Sequence, residues 1–192
     1  VDAAPLTNIT PKVLASVFQV SENNPLVGLE ERAKLLNELG QALIRHKHMF
    51  EFGDALRPGN LYDYFLQRQE KGVLAAREIL IAILKSMGEI WPDGSWVDSI
   101  AIGDAAYHEA VKRSDITDRI VPFHKLSQWM SYSLIEPLQL AGMKIIHLDA
   151  LTGLAEYRNG GLFIDTGTIS LRDKTEMETL HDPKSPLIVE WR

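Results

Sequence analysis

Polar and apolar positions from Val121 to Pro137 recur at helical spacing. In VPFHKLSQWMSYSLIEP, His124, Gln128, Tyr132 and Glu136 follow one another at i, i+4, i+8 and i+12 and drift over a stripe about 120° wide. Lys125 and Trp129 fall inside or beside that stripe, while Phe123, Leu126, Met130 and Leu134 gather on the other side and offer a face to a core. Pro137 removes the hydrogen bond to the carbonyl of Ser133, which predicts a kink or stop near Glu136. Solvated helix faces are usually filled with Lys, Glu and Arg. This one carries imidazole, amide, phenol, indole and one carboxylate, groups that hold directional hydrogen bonds. Two readings follow: a buried helix whose polar groups satisfy neighbouring backbone, or the wall of a pocket.

The same pattern predicts further elements. Thr10-Pro11 is a cap and first-turn pair opening a helix through Val20. Leu29 to about His46 is amphipathic, with Leu29, Ala33, Leu36, Leu39 and Leu43 at core spacing. Arg57-Pro58-Gly59 is a turn whose arginine either binds an anion or pairs with Asp54 or Asp63, and Asn60 is placed to cap a helix from Leu61 to Gln69. Val73 to about Ile90 reads as a central helix ended by Trp91-Pro92-Asp93-Gly94, and 104–113 as another helix. Gly142 is a helix stop, Met143 to Leu148 a short strand, and Asn159-Gly160-Gly161 a turn before a second strand, Leu162 to Ile164. The expected fold is mainly α: a helical bundle with a small β-hairpin or short sheet near the C-terminal third, α+β being the alternative.

Composition narrows the picture. A chain of 192 residues with 45% hydrophobic content can bury a core as one domain, 1–192. A net charge of -6 without a dense Lys/Arg run argues against nucleic acid as partner. The absence of cysteine removes disulfides, thiolate metal sites and a Cys nucleophile. No apolar run approaches the roughly eighteen residues that span a bilayer, and no basic-then-apolar leader is present, so the expectation is a cytoplasmic protein without a membrane partner. The start at Val1 and the stop at SPLIVEWR suggest a fragment of a longer polypeptide.

Glu156-Tyr157-Arg158-Asn159-Gly160-Gly161 is the second chemical stretch. As a ligand loop, Arg158 grips a phosphate or carboxylate, the glycines let backbone approach, and Glu156 or Asp165 polarises a water; as a plain turn, Arg158 and Glu156 pair locally. GxxxxGK[ST], GxGxxG and GxSxG are absent. His108-Glu109 is followed by Lys112 where HExxH needs its second histidine, and neither metal nor cofactor is expected.

The blocks VPFHKLSQWMSYSLIEPL (121–138) and LTGLAEYRNGGLFID (151–165) resemble the signature blocks of the uracil catabolism protein 4 family. NPLVGLEERAKLLNELG, the RPG of 57–59 and IWPDG are similar to that family's pattern too, and Ala155 departs from it where proline is expected. The resemblance implies a longer parent chain and a role in a uracil degradation route that works on the ribosylated base and passes through a ribosylurea-type intermediate. Cutting the bond between ribose and urea needs an acid, a water-activating carboxylate and a ribose or phosphate clamp. The candidate catalytic set is therefore Glu136, Asp165, Glu156 and His124, with Glu136 or Asp165 as base and oxocarbenium stabiliser. Gln128 and Asn159 are candidates for the urea or ring edge, Lys125 and Arg158 for phosphate, Trp129 and Tyr132 for an apolar wall, and Gly160 for close backbone approach. The small-molecule substrate would be a ribosylated pyrimidine or its derivative. The rival expectation is a non-catalytic nucleotide-binding or assembly subunit serving the ring-opening enzyme. A closed pocket around Glu136 or Asp165 would favour the enzyme, and a flat, exposed polar helix the subunit.

Overall fold

The computed structural model describes residues 1–92 and 94–192. Helices dominate: α1 (Ala3–Leu6), α2 (Pro11–Val17), α3 (Leu29–Arg45), α4 (Lys47–Phe50), α5 (Leu61–Leu66), α6 (Ala76–Met87), α7 (Lys125–Leu140), α8 (Tyr157–Asp165) and α9 (Pro186–Trp191). The strands are short: β1 (Glu51–Phe52), β2 (Ala55–Leu56), β3 (Val73–Ala75), β4 (Ser95–Val97), β5 (Ile100–Gly103), β6 (Ala105–Tyr107), β7 (Ile120–Pro122) and β8 (Lys144–Ile146). They pair as β1–β2, β4–β5 and β6–β7 hairpin-like antiparallel ribbons and as a parallel β3–β8 pair. The fold is thus mainly α with small sheets. No described helix is long and apolar enough to cross a membrane.

Local signals set several elements as expected. The Thr10 hydroxyl accepts from the Val13 amide at 3.2 Å and starts α2. In α3, Ala33 and Leu43 reach the core and Leu36 and Leu39 pack against it. Gly142, at φ 92°, ends α7, with the Met143 amide donating to the Leu138 carbonyl at 3.0 Å.

Tertiary contacts override local preference elsewhere. Residues 73–75 open the predicted central helix as a strand, because they pair with 144–146; the helix begins at Ala76. Its expected stop includes Asp93, which lies outside the described residues. The predicted helix 104–113 is replaced by β6, paired with β7, since Gly103 turns at φ 66° and the Asp104 carbonyl accepts the amides of Phe123 and His124. Asn60 does not cap α5; its amide donates to the carbonyls of Phe50 and Ala55. Arg57 pairs with Asp2, distant in sequence.

Helix α7 starts at Lys125, after β7, and continues through Pro137 to Leu140. Pro137 and Ser133 are both exposed, so the carbonyl that proline leaves unbonded is not trapped in the interior and the helix need not stop. Its buried side overlaps the predicted one only in part: Met130 and Leu134 pack against the core as expected, but Ser127, Gln128, Ser131 and Leu138 are buried and Leu126 is 43% exposed. The reason is the packing of α7 against α6, where small side chains allow close approach. The Ser131 and Ser86 hydroxyls donate to carbonyls one turn back in their own helices, which makes these polar groups tolerable in the interior.

The expected turn at 159–161 and strand at 162–164 are helix α8 instead. A Cβ on Gly160 would collide with the Trp191 indole and lie 2.8 Å from the Trp191 carbonyl oxygen, so the glycine serves helix-to-helix contact with α9. Trp191 Nε1 donates to the Tyr157 carbonyl at 2.8 Å and locks the pair.

Candidate functional site

Asp104 is the hub of the candidate site. Its carboxylate accepts from the Lys125 amide at 3.1 Å, filling the N-terminus of α7, where the helix dipole favours negative charge. The same carboxylate receives the Arg192 guanidinium through both terminal nitrogens, one at 2.8 Å. Arg192 is further held by Nε donating to the Ala155 carbonyl at 3.2 Å and by the rings of Phe123 and Tyr157, whose centroids lie 4.2 and 5.0 Å from its Cζ. Only 9% of its side chain is exposed.

At the first residue of α7, the Lys125 ammonium contacts the Glu156 carboxylate, which precedes α8. That hydrogen bond holds the Glu156 carboxyl below the usual carboxylate range; burial opposes the shift, and the Lys125 charge, the Arg158 amide and the Arg158 charge add to it. Glu156 is therefore an ionised carboxylate at neutral pH.

Asp104, Lys125 and Arg192 border a cleft of ≈ 570 Å³, large enough for a nucleoside, and Glu156 is joined to its wall through Lys125. Trp91, Phe123 and Tyr157 supply aromatic surface; Asp104, Lys125, Asp182, Lys184 and Arg192 supply charge. Below it, Gln128 donates to the Thr152 hydroxyl at 2.9 Å and the Tyr132 hydroxyl to the Thr152 carbonyl at 2.9 Å. Two residues of the predicted polar stripe thus fasten the loop leading to Glu156.

The other expected site residues are dispersed. His124 precedes α7 at φ 49° and lines a different hollow of ≈ 490 Å³ with His46, Glu89 and Trp96. Burial depresses its pKa, with the Asp104 charge opposing, so the ring is neutral near pH 7. Trp129, Arg158 and Asn159 are exposed, and Gly160 is closed off by Trp191. Glu136 is exposed on the later turns of α7, and Asp165, also exposed, borders a hollow of ≈ 300 Å³ with Glu176 and His181. Among the described residues no group of three or more His, Asp or Glu side chains is arranged to hold a metal ion.

Sequence reasoning missed Asp104, Trp91 and Arg192 as site residues and read Phe123 as core. IWPDG and Gly103-Asp104 were the available signals; nothing local marks Arg192, whose partner is 88 positions away.

The model of the family described as "Protein of unknown function (DUF1688)" matches residues 1–192. Protein urg3 of Schizosaccharomyces pombe is 36% identical to the chain over 199 residues, covering 100% of the chain and 45% of that protein. Uracil catabolism protein 4 of Lachancea kluyveri is 36% identical over 218 residues, covering 100% of the chain and 49% of that protein. The chain therefore spans about half the length of these curated relatives. No solved structure matches it.

Proposed function

The chain belongs to the DUF1688 family, and from that premise we propose that it serves uracil catabolism by hydrolysing the N-glycosidic bond of a ribosylated pyrimidine or a ribosylurea-type intermediate. The pathway assignment draws on the name of the Lachancea kluyveri relative. The site assignment draws on one observation above others: the Lys125–Glu156 pair joins the blocks 121–138 and 151–165 at the cleft.

Hydrolysis of this bond passes through a ribose that is electron-poor at C1′. Water adds its oxygen to C1′, the bond from C1′ to nitrogen breaks, and the leaving nitrogen takes a proton, giving free ribose and urea or base. An ionised carboxylate beside the cleft stabilises positive charge at C1′ and orients the water, and Lys125 keeps Glu156 in that form. Phe123 and Tyr157 give the planar base or urea an apolar wall. Glu136 and Asp165 are exposed and apart from this cleft, whereas Glu156 contacts Lys125 on its wall, so the base role is assigned to Glu156.

A second reading, a non-catalytic nucleotide-binding or assembly subunit acting with a ring-opening enzyme, is favoured by the exposed stretch of α7. Leu126 is 43% and Trp129 55% exposed there. Incubation with uridine, its monophosphate and ribosylurea, following urea, uracil and ribose by mass spectrometry, separates the two. The hydrolase reading expects release that is lost in Glu156→Gln and kept in Glu136→Gln and Asp165→Asn. Ligand binding without turnover, itself lost in Lys125→Ala, would support the subunit.

A further inference from the structure

Phosphate recognition uses uncommitted cations or open helix N-termini, and the described part of this cleft has spent both. The amide at the start of α7 already donates to the Asp104 carboxylate. The Glu156 carboxylate stands at the start of α8, where the Arg158 amide helps to lower its pKa. Arg192 gives both terminal nitrogens to Asp104, its Nε to a carbonyl, and its plane to two rings. Lys125 is paired with Glu156. Lys184, too, is engaged within the chain, and its backbone amide donates to the Asp182 carboxylate at 2.7 Å. Lys125 and Arg192 on the wall are thus each held by a carboxylate of the chain, and a carboxylate stands at each of the two helix starts.

We propose that the cleft selects an uncharged ligand, the unphosphorylated nucleoside or ribosylurea, against its 5′-phosphate. This rests on the reading of the cleft given above. A phosphate dianion entering here would meet Asp104 and Asp182 on the wall, with Lys125 and Arg192 already held by Glu156 and Asp104, while a neutral ribosyl compound needs only hydrogen bonds and aromatic surface. Lys125 and Glu156 then act on ribose hydroxyls and C1′, where a pure phosphate clamp would have no use for the glutamate.

Titration calorimetry of the purified chain with uridine and with uridine 5′-monophosphate, at one fixed ionic strength, tests this. The expected result is tighter binding of uridine by about tenfold or more, the scale of one uncompensated charge at short range. Glu156→Gln, which releases Lys125, is expected to narrow that ratio or reverse it. Equal or tighter binding of the monophosphate by the unaltered chain would overturn the inference while leaving the cleft assignment standing. Binding of neither compound nor of ribosylurea would overturn both. Uridine preference without turnover supports the selectivity and removes only the hydrolase.

Discussion

Around α6 the chain is closed by aliphatic and aromatic packing, with Leu43, Phe50, Phe65, Ile79 and Ile83 fully buried. Around the start of α7 it is closed by Asp104, Arg192, Lys125, Glu156 and Thr152, through hydrogen bonds and ion pairs. The first kind of contact is non-directional and stabilises in proportion to area, about 1.5–3 kcal/mol for each large side chain buried. The second contributes less to net stability but fixes groups in direction and charge state. A site for a small polar molecule needs the second kind, supported by a framework of the first. The packing of α7 against α6 is where the two regions are tied together.

Changes in each region should reveal that division. The largest effect is expected from Ile83→Ala, which leaves a cavity in the core and should cost about 2–5 kcal/mol, read as a shifted urea midpoint. Gly160→Ala should cost about 1–3 kcal/mol by overpacking against Trp191, and hydrogen exchange should show the loosening in α8 and α9 with α3 and α6 untouched. If α6 loosened equally, the two regions would be one cooperative unit. Asp104→Asn weakens the grip on Arg192 and the start of α7 and should cost about 1–2 kcal/mol, because the pair keeps some solvent contact. The smallest effect concerns pH. The unfolded His124 ring takes up a proton near 6.5, and the buried ring does so only at lower pH. Its contribution to stability is whole above about pH 6.5 and is lost as pH falls through the folded pKa. His124→Gln should flatten that acid limb in unfolding curves recorded between pH 7 and 4.

What sequence reading could recover follows the same division. The Thr10 cap, α3 and the Gly142 stop rest on neighbours a few positions away, and they formed as expected. Gly160-Gly161 carries a turn signal, yet it is helical because Trp191 needs the space of a missing side chain. The stripe His124, Gln128, Tyr132 and Glu136 was legible as a stripe, but its members divide between a second hollow, the Thr152 loop and solvent. Periodicity gives the face of a helix and says nothing of what packs on each turn. The two family blocks were legible as well, and the structure brings them into contact through Lys125–Glu156 and Gln128–Thr152. Arg192, which completes the pairing at Asp104, could be found only from the folded chain.

The central claim is that ligand meets the chain at the polar seam and not at the aliphatic core or the hollow beside His124. Hydrogen–deuterium exchange with and without saturating uridine or ribosylurea tests it most directly. The account predicts added protection in 104–106, 123–126 and 155–158, with α3 and the hairpin of β4 and β5 unchanged. Protection centred on 46, 89 and 96–102, or none in any segment at saturation, would contradict it.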